Sequence, residues 1–343
     1  MKYLPFWIGL VCISLQAVSQ QSTEIYLMDI KKNTDSIQLS TPLNISNNEG
    51  YDNQPSFLDD DTILFASTRN NQTDIALYTI STGSKTWVSN TSNGSEYSPL
   101  KIPRKEAVSA IRLDTDGLQR LYEYDLRTGT SVELIKDLKV GYHLWYNDHM
   151  LVCTVLIENR MDLVVVNLKE GTNHTVAKNV GRSLHQIPNS DLISFVSKEN
   201  QTNTLKSLHP SSGVTKELLQ LLGSSEDICW TPNGKLLSSF NNTLITHNPN
   251  KELKWDGVAF FNEEQIQGIS RLAVSPNGNY LALVSNDPPS AIVQKQVDSY
   301  NAGDLDAFVN CYAKNVLVTN FPIDTLYVGH EKMRNNYSSL APD

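Results

Sequence analysis

Residues 51–89, YDNQPSFLDDDTILFASTRNNQTDIALYTISTGSKTWVS, hold the stretch that decides the fold. Tyr51 to Phe57 runs into an acidic turn, Asp59-Asp60-Asp61. An apolar strand follows from Thr62 to Ser67, then a polar turn at Thr68-Arg69-Asn70-Asn71. A second strand, Asp74 to Ile80, leads to Ser81-Thr82-Gly83, and the unit closes on Trp87-Val88-Ser89. Short β-branched and aromatic runs separated by Asp, Asn and Gly turns read as four antiparallel strands.

The outline returns along the chain. Tyr97-Ser98-Pro99, Ala107 to Leu113 and Gln119 to Leu126 form a second copy. Tyr142 to Trp145, Met150 to Leu156 and Met161 to Leu168 form a third, and Ser183 to Ile187, Leu192 to Val196 and Thr204 to Leu208 a fourth. Their closing glycines, Gly83, Gly129, Gly171 and Gly213, lie 46, 42 and 42 residues apart. A period near forty residues with four strands per unit predicts propeller blades. Two later units carry Thr231-Pro232-Asn233-Gly234 and Ser275-Pro276-Asn277-Gly278, each between apolar strands. Proline fixes φ on entry to such a turn and Asn-Gly tolerates positive φ, so each predicts a tight hairpin between inner strands.

The last unit, Ile269 to Ser285, has only inner strands. Glu24 to Ile30 reads as an outer strand, and Leu39 to Ile45 as the next. Pairing these with the C-terminal strands would close the ring and remove open sheet edges. The expected fold is therefore mainly β, a propeller of about six blades, with a small α+β C-terminal segment.

Residues 51–83 and the turn Ser275-Pro276-Asn277-Gly278 make the region from about 22 to 287 resemble TolB-like, WD-repeat-like propellers. Pro-Ser-Phe, the acidic turn, Ile-Leu-Phe-Ala-Ser-Thr-Arg and Asp-Ile-Ala-Leu-Tyr carry the likeness; Arg69 has no sequence counterpart in the second to fourth blades. The resemblance implies a protein or cell-envelope component as partner, taken by the propeller loops and the channel mouth.

Asn286-Asp287-Pro288-Pro289 marks a linker. Ser290 then caps a helical pattern with Ile292, Val293, Val297 and Tyr300 on one face. A second short helix carries Leu305, Phe308, Val309 and Tyr312, a strand runs over Val316 to Thr319, and a third helix over Gly329 to Tyr337. Val297 to Phe308, including Asn301-Ala302-Gly303-Asp304, with Phe321-Pro322 and Tyr327 to Met333, resembles the opening of SnoaL-like, nuclear-transport-factor-like domains. That resemblance implies an incomplete cone around an apolar pocket lined by Tyr300, Phe308, Tyr312 and Phe321, with a small apolar ligand. It covers the first half of such a domain. The isomerase tyrosine of the family falls at Gln296 and its carboxylate base at Asn320, and an amide cannot accept a proton as a carboxylate does. The residues alone favour reading Tyr300, Phe308 and Tyr312 as a small core over a pocket lining.

Other features bound location and chemistry. Met1-Lys2, the apolar run Leu4 to Val18, and Ala17 and Ser19 at −3 and −1 of a cut after Ser19 predict a signal peptide over 1–20. The expected division is then signal peptide 1–20, propeller 21–287 and partial SnoaL-like domain 288–343, with export to the periplasm or medium and no transmembrane anchor after cleavage. The net charge of −9 and the absence of basic runs argue against nucleic acid. Cys153, Cys229 and Cys311 are too widely spaced for a disulfide framework and are expected to be buried. No metal motif, nucleophile elbow or dinucleotide fingerprint occurs, so no cofactor, metal or catalytic residue is expected, and binding is favoured over catalysis. His143 and His149 are expected at the surface of a hairpin. Asp59-Asp60-Asp61 and Asp114-Thr115-Asp116-Gly117 lack the distal glutamate of a calcium loop and read as acidic turns. Trp87, Trp145, Trp230 and Trp255 read as blade packing.

Overall fold

The structure, a computed structural model, describes residues 22–32, 37–92, 94–249, 251, 254–262, 266–286, 289–320 and 324–340. The residues of the expected signal peptide, the centre of the linker and Phe321 lie outside them.

Six antiparallel sheets form a six-bladed propeller. The first five blades are four consecutive strands each, beginning at Asp52–Phe57, Gly94–Lys101, Val140–Trp145, Val180–Gln186 and Ile228–Trp230. The sixth is built from both ends of the described propeller chain. Gln267–Val274 and Tyr280–Asn286 supply its inner strands, and Thr23–Lys32 is its third. The pairing runs from Thr23 opposite Asn286 to Asp29 opposite Tyr280. Leu43–Asn44 and Ile37–Leu39 complete the outer edge. Closure by an N-terminal strand follows from side-chain alternation. Ile25, Leu27 and the inner-strand Val284 and Ala282 are buried in one cluster against the first blade, and Met28 and Leu281 in another against the fifth.

The closing glycines perform one repeated task. Gly83, Gly129, Gly171 and Gly213 all have positive φ, between 64° and 71°, at the turn from third to fourth strand. The two Pro-Asn-Gly turns join the first and second strands of their blades, as expected. Positive φ falls on Gly234 (81°) and Gly278 (69°) and not on the asparagines. The Asn233 and Asn277 side chains instead accept from the hydroxyls of Thr231 (2.6 Å) and Ser275 (2.8 Å).

Packing between blades uses a repeated hydrogen bond. Trp145 Nε1 donates to Ser109 Oγ, and Trp230 Nε1 to Ser194 Oγ, both at 2.8 Å. In each case the indole ends an innermost strand and reaches the second strand of the preceding blade. His143 shares this joint. It is 4 % exposed, with Nε2 2.7 Å from Ser109 Oγ, and burial pushes its pKa down to about 3. The surface position expected for it is thus corrected: the neighbouring blade, invisible in local sequence, covers it. Arg69 stacks on Trp87 at 4.2 Å and pairs with Asp74 at 2.9 Å. In the third blade Arg160 reaches Asp162 at 2.8 Å from the other side of the same hairpin, supplying the counterpart missing from the sequence pattern.

The acidic turns are engaged by protein donors. Asp61 accepts from the Ser81 backbone N–H and hydroxyl, and Asp60 accepts from the Asn277 N–H of the sixth blade at 2.8 Å. Asp114 and Asp116 are held by Arg120, and Asp114 also by Arg112. Cys153 and Cys229 are buried, whereas Cys311 is only half-buried.

After the propeller come helices α1 (Pro289–Ala302), α2 (Leu305–Asn310) and α3 (Gly329–Asn336), with a hairpin of Leu317–Asn320 and Asp324–Val328. Helix α1 starts at Pro289, one residue before the expected cap, because proline is pre-organised for the first helical position. Phe308, Val309 and Met333 form a small core. Lys295 on α1 meets Glu49, in the loop entering the first blade, at 2.5 Å. Among the described residues no helix is long and apolar enough to cross a membrane.

Candidate functional site: the mouth of the central channel

The six innermost strands line one central cavity of about 300 Å³. Their register defines tiers around it. Phe57, Lys101, Trp145, Gln186, Trp230 and Val274 each face the corresponding second-strand residue of their own blade. Three residues earlier stand Gln54, Ser98, Tyr142, Ser183, Asp227 and Arg271, with Arg182 next to Ser183, and all seven line the cavity. Every blade therefore contributes to one polar tier. The rest of the lining includes apolar Pro55, Pro99, Leu144, Leu184, Ile228 and Leu272 together with Ser56, His143 and His185.

The backbone is irregular at this tier. Ladder register shifts between Asn53 and Ser56, Tyr97 and Leu100, Val140 and Tyr142, Val180 and Leu184, and Ser270 and Ala273. Gln54, Ser98 and Arg271 hold positive φ of 57°, 51° and 49°. Pro55 and Pro99 follow two of them and have no N–H to give the ladder, so a bulge is the local solution. Positive φ in non-glycine residues is costly and tends to be retained where function needs a side chain re-aimed.

The electrostatics are asymmetric. Arg182 grips Asp227 with two parallel hydrogen bonds, from Nε at 2.8 Å and from Nη2. Lys198 lies 3.6 Å from Glu226. Arg271 stands 4.0 Å from the same Asp227, beyond hydrogen-bond range, and donates Nη2 to the Tyr142 hydroxyl at 2.9 Å. Its guanidinium also sits 4.9 Å from the Tyr142 ring centre. Tyr51 and Tyr97 meet edge-to-face with centroids 5.9 Å apart. Burial raises the pKa of the Tyr51 phenol, opposed by the field of Arg271. The Ser98 hydroxyl lines the cavity, is buried, and has no hydrogen-bond partner. The arrangement can hold an anion: spare guanidinium donors, the Tyr142 phenol and the Ser98 hydroxyl line a cavity that also offers apolar surface.

The residues singled out in the C-terminal segment lie elsewhere. Tyr300, Phe308 and Tyr312 come together, with Tyr300–Phe308 centroids at 5.7 Å and Phe308–Tyr312 at 5.5 Å. Phe308 is buried in the small core, whereas Tyr300 is exposed. The Tyr312 hydroxyl accepts from Gln296 Nε2 at 2.5 Å, so Gln296 points towards this cluster. Phe321 lies outside the described residues. Sequence reading named the channel mouth in general but none of its residues. The one local signal was a polar residue placed before proline in Gln54-Pro55 and Ser98-Pro99.

No protein-family profile matches the sequence, and no curated protein matches it. Solved structures do. TolB from Acinetobacter baumannii superposes with a TM-score of 0.51 at 11% identity, over 78% of this chain and 65% of that one, less than two thirds of its length. A TolB assigned in Agrobacterium tumefaciens gives 0.60 at 13% identity, over 78% and 99%. A chain of a nidogen/laminin complex gives 0.54 at 12%, over 71% and 95%. The likeness is one of fold. It places this six-bladed propeller among structures that include TolB, and residue roles have to come from the site itself.

Proposed function

We propose that this chain is an exported, non-catalytic propeller that binds a protein or cell-envelope component at the mouth of its central channel. The observation that carries the reading is the polar tier, to which every blade contributes and in which the buried Ser98 hydroxyl lacks a partner among the described residues. Export rests on the signal-like pattern of residues 1–20, and the binding unit would be residues 21–287. A photo-crosslinking residue at Phe240, which is exposed beside the Arg182–Asp227 pair, should capture a discrete partner in the producing cell. The same residue at Val214, exposed on an outer strand of the fourth blade, should not. Equal capture from both positions, or none from either, sinks the reading.

A second reading is a small-molecule site in residues 288–343, of SnoaL-like type. It is favoured by the convergence of Tyr300, Phe308 and Tyr312 and by the exposed apolar face of α1. Thermal unfolding of the full chain with small apolar ligands tests it. A shift abolished by Tyr300→Ala supports a pocket there, and no shift with any ligand removes it.

A further inference from the structure

The charge balance at the channel mouth names the ligand chemistry more closely. Three cations and two carboxylates meet there. Arg182 is committed to Asp227 and Lys198 faces Glu226. Arg271 is the cation left over, since the nearest carboxylate is already gripped by another guanidinium. Arginine stays charged at any working pH and carries five donors in a fixed fork. Arg271 makes one hydrogen bond among the described residues, to Tyr142, and the Nη1 groups of Arg182 and Arg271 make none. Guanidinium nitrogens left without a protein partner at the cavity are free to take an anion in the forked geometry that suits a carboxylate.

A second observation points the same way. Ser98 is 9 % exposed, and its hydroxyl lines the cavity without a partner. The positive φ of Ser98 and of Arg271 turns both residues out of the regular ladder at the same tier. The lining also offers apolar surface from Pro55, Pro99, Leu144, Leu184, Ile228 and Leu272, beside Ser56, His143 and His185. A carboxylate next to an apolar side chain fits both kinds of surface, its charge at the arginines and its side chain against the Leu, Ile and Pro residues.

We infer that the channel mouth is a carboxylate site for a peptide segment, in which Arg271 and Arg182 hold the anion, the Ser98 and Tyr142 hydroxyls orient it, and the adjoining apolar side chain enters the cavity. This rests on the binding reading above and specifies its ligand. A chain terminus or an acidic side chain could supply the carboxylate.

The test is calorimetric titration of the full chain with N-acetyl-Gly-Phe as free acid and as amide, N-acetyl-Glu-Phe amide, and galacturonic acid. A charge-assisted, two-pronged contact should make the free acid bind at least about tenfold tighter than its amide. Arg271→Met should erase that preference, and Ser98→Ala should weaken the acid severalfold. Binding of the Glu-Phe amide as tight as that of the free acid supports the site and assigns it to acidic side chains; amide-like weakness assigns it to chain termini. Equal binding of acid and amide, preference for galacturonic acid, or no binding of any probe at about 1 mM overturns the inference. The acid-to-amide ratio of the unaltered protein decides the matter even if Arg271→Met fails to fold. If crosslinks from Phe240 persist while acid and amide bind alike, the binding reading stands and the carboxylate assignment falls.

Discussion

Glu96 gives a stability prediction with a definite sign. It lies in the first half of the innermost strand of the second blade, fully buried, accepting from the Tyr124 hydroxyl at 2.9 Å and from Ser89 Oγ at 3.3 Å. Burial pushes its pKa up from an ordinary 4.5 to about 7, and these hydrogen bonds offset only part of that. The folded chain therefore keeps a proton that the unfolded chain has lost. Stability falls as pH rises from about 4.5 to about 7 and levels off above, because the native state binds more protons across that window. At about 1.4 kcal/mol per pKa unit, the ionisation penalty at pH 8 is at most about 3 kcal/mol. Glu96→Gln removes it. The amide oxygen can accept from Tyr124 and the amide nitrogen can donate to Ser89, whose hydroxyl can rotate to receive it. At about 2 °C per kcal/mol for a chain of this size, the variant should melt up to about 6 °C higher at pH 8 and within about 1 °C of the parent at pH 5. Asp52, likewise raised to about 7 by burial, keeps its own pH slope in the variant. The assay is thermal unfolding by circular dichroism at pH 5 and pH 8. A Glu96→Gln protein destabilised equally at both values refutes the reasoning.

Three further outcomes follow from the fold. Gly129→Ala should cost about 1–2 kcal/mol more than Gly171→Ala, measured by urea unfolding: both glycines have positive φ, but a Cβ at Gly129 would stand 2.7 Å from the Val88 carbonyl oxygen and one at Gly171 meets nothing. A double-mutant cycle of Trp230→Phe and Ser194→Ala should return a coupling of about 1 kcal/mol, the worth of one buried hydrogen bond, and a coupling of zero removes the inter-blade joint as a stabilising element. Deleting residues 23–46 should abolish cooperative unfolding, because it strips the third and outer strands from the sixth blade and uncovers Leu281 to Val284; a sharp calorimetric transition in the truncated chain would show that the ring does not need this closure.

Much of the fold was legible because blade repeats are local. Strand alternation, closing glycines and Pro-Asn-Gly turns are each set within a few residues, and they fixed strand positions and the period. Ring closure was also legible, since an incomplete first unit and an incomplete last unit complete each other. The acidic stretch at Asp59-Asp60-Asp61 forms a turn between strands, as its local sequence implied, with Asp61 accepting from Ser81. The helices of the C-terminal segment were found from spacing. The exposure of Ile292, Val293, Val297 and Tyr300 was not, because a helix face is covered or bare according to what stands beside it.

The candidate site was legible only as a place. Gln54, Ser98, Tyr142, Arg182, Asp227 and Arg271 are each roughly one blade apart and are of five residue types, so no linear motif joins them. His143 looked like a turn residue for the same reason, as Ser109, which meets both its ring and the Trp145 indole, lies across a blade boundary. The sequence by itself determined the blades, through short-range alternation and turn chemistry. Only the closed ring decided which side chain of each innermost strand faces the axis, how Arg182 captures Asp227 and leaves Arg271 over, and where a buried hydroxyl lacks a partner. Those are contacts between residues about forty or more apart, set by the register and bulges of six separate strands meeting at one axis.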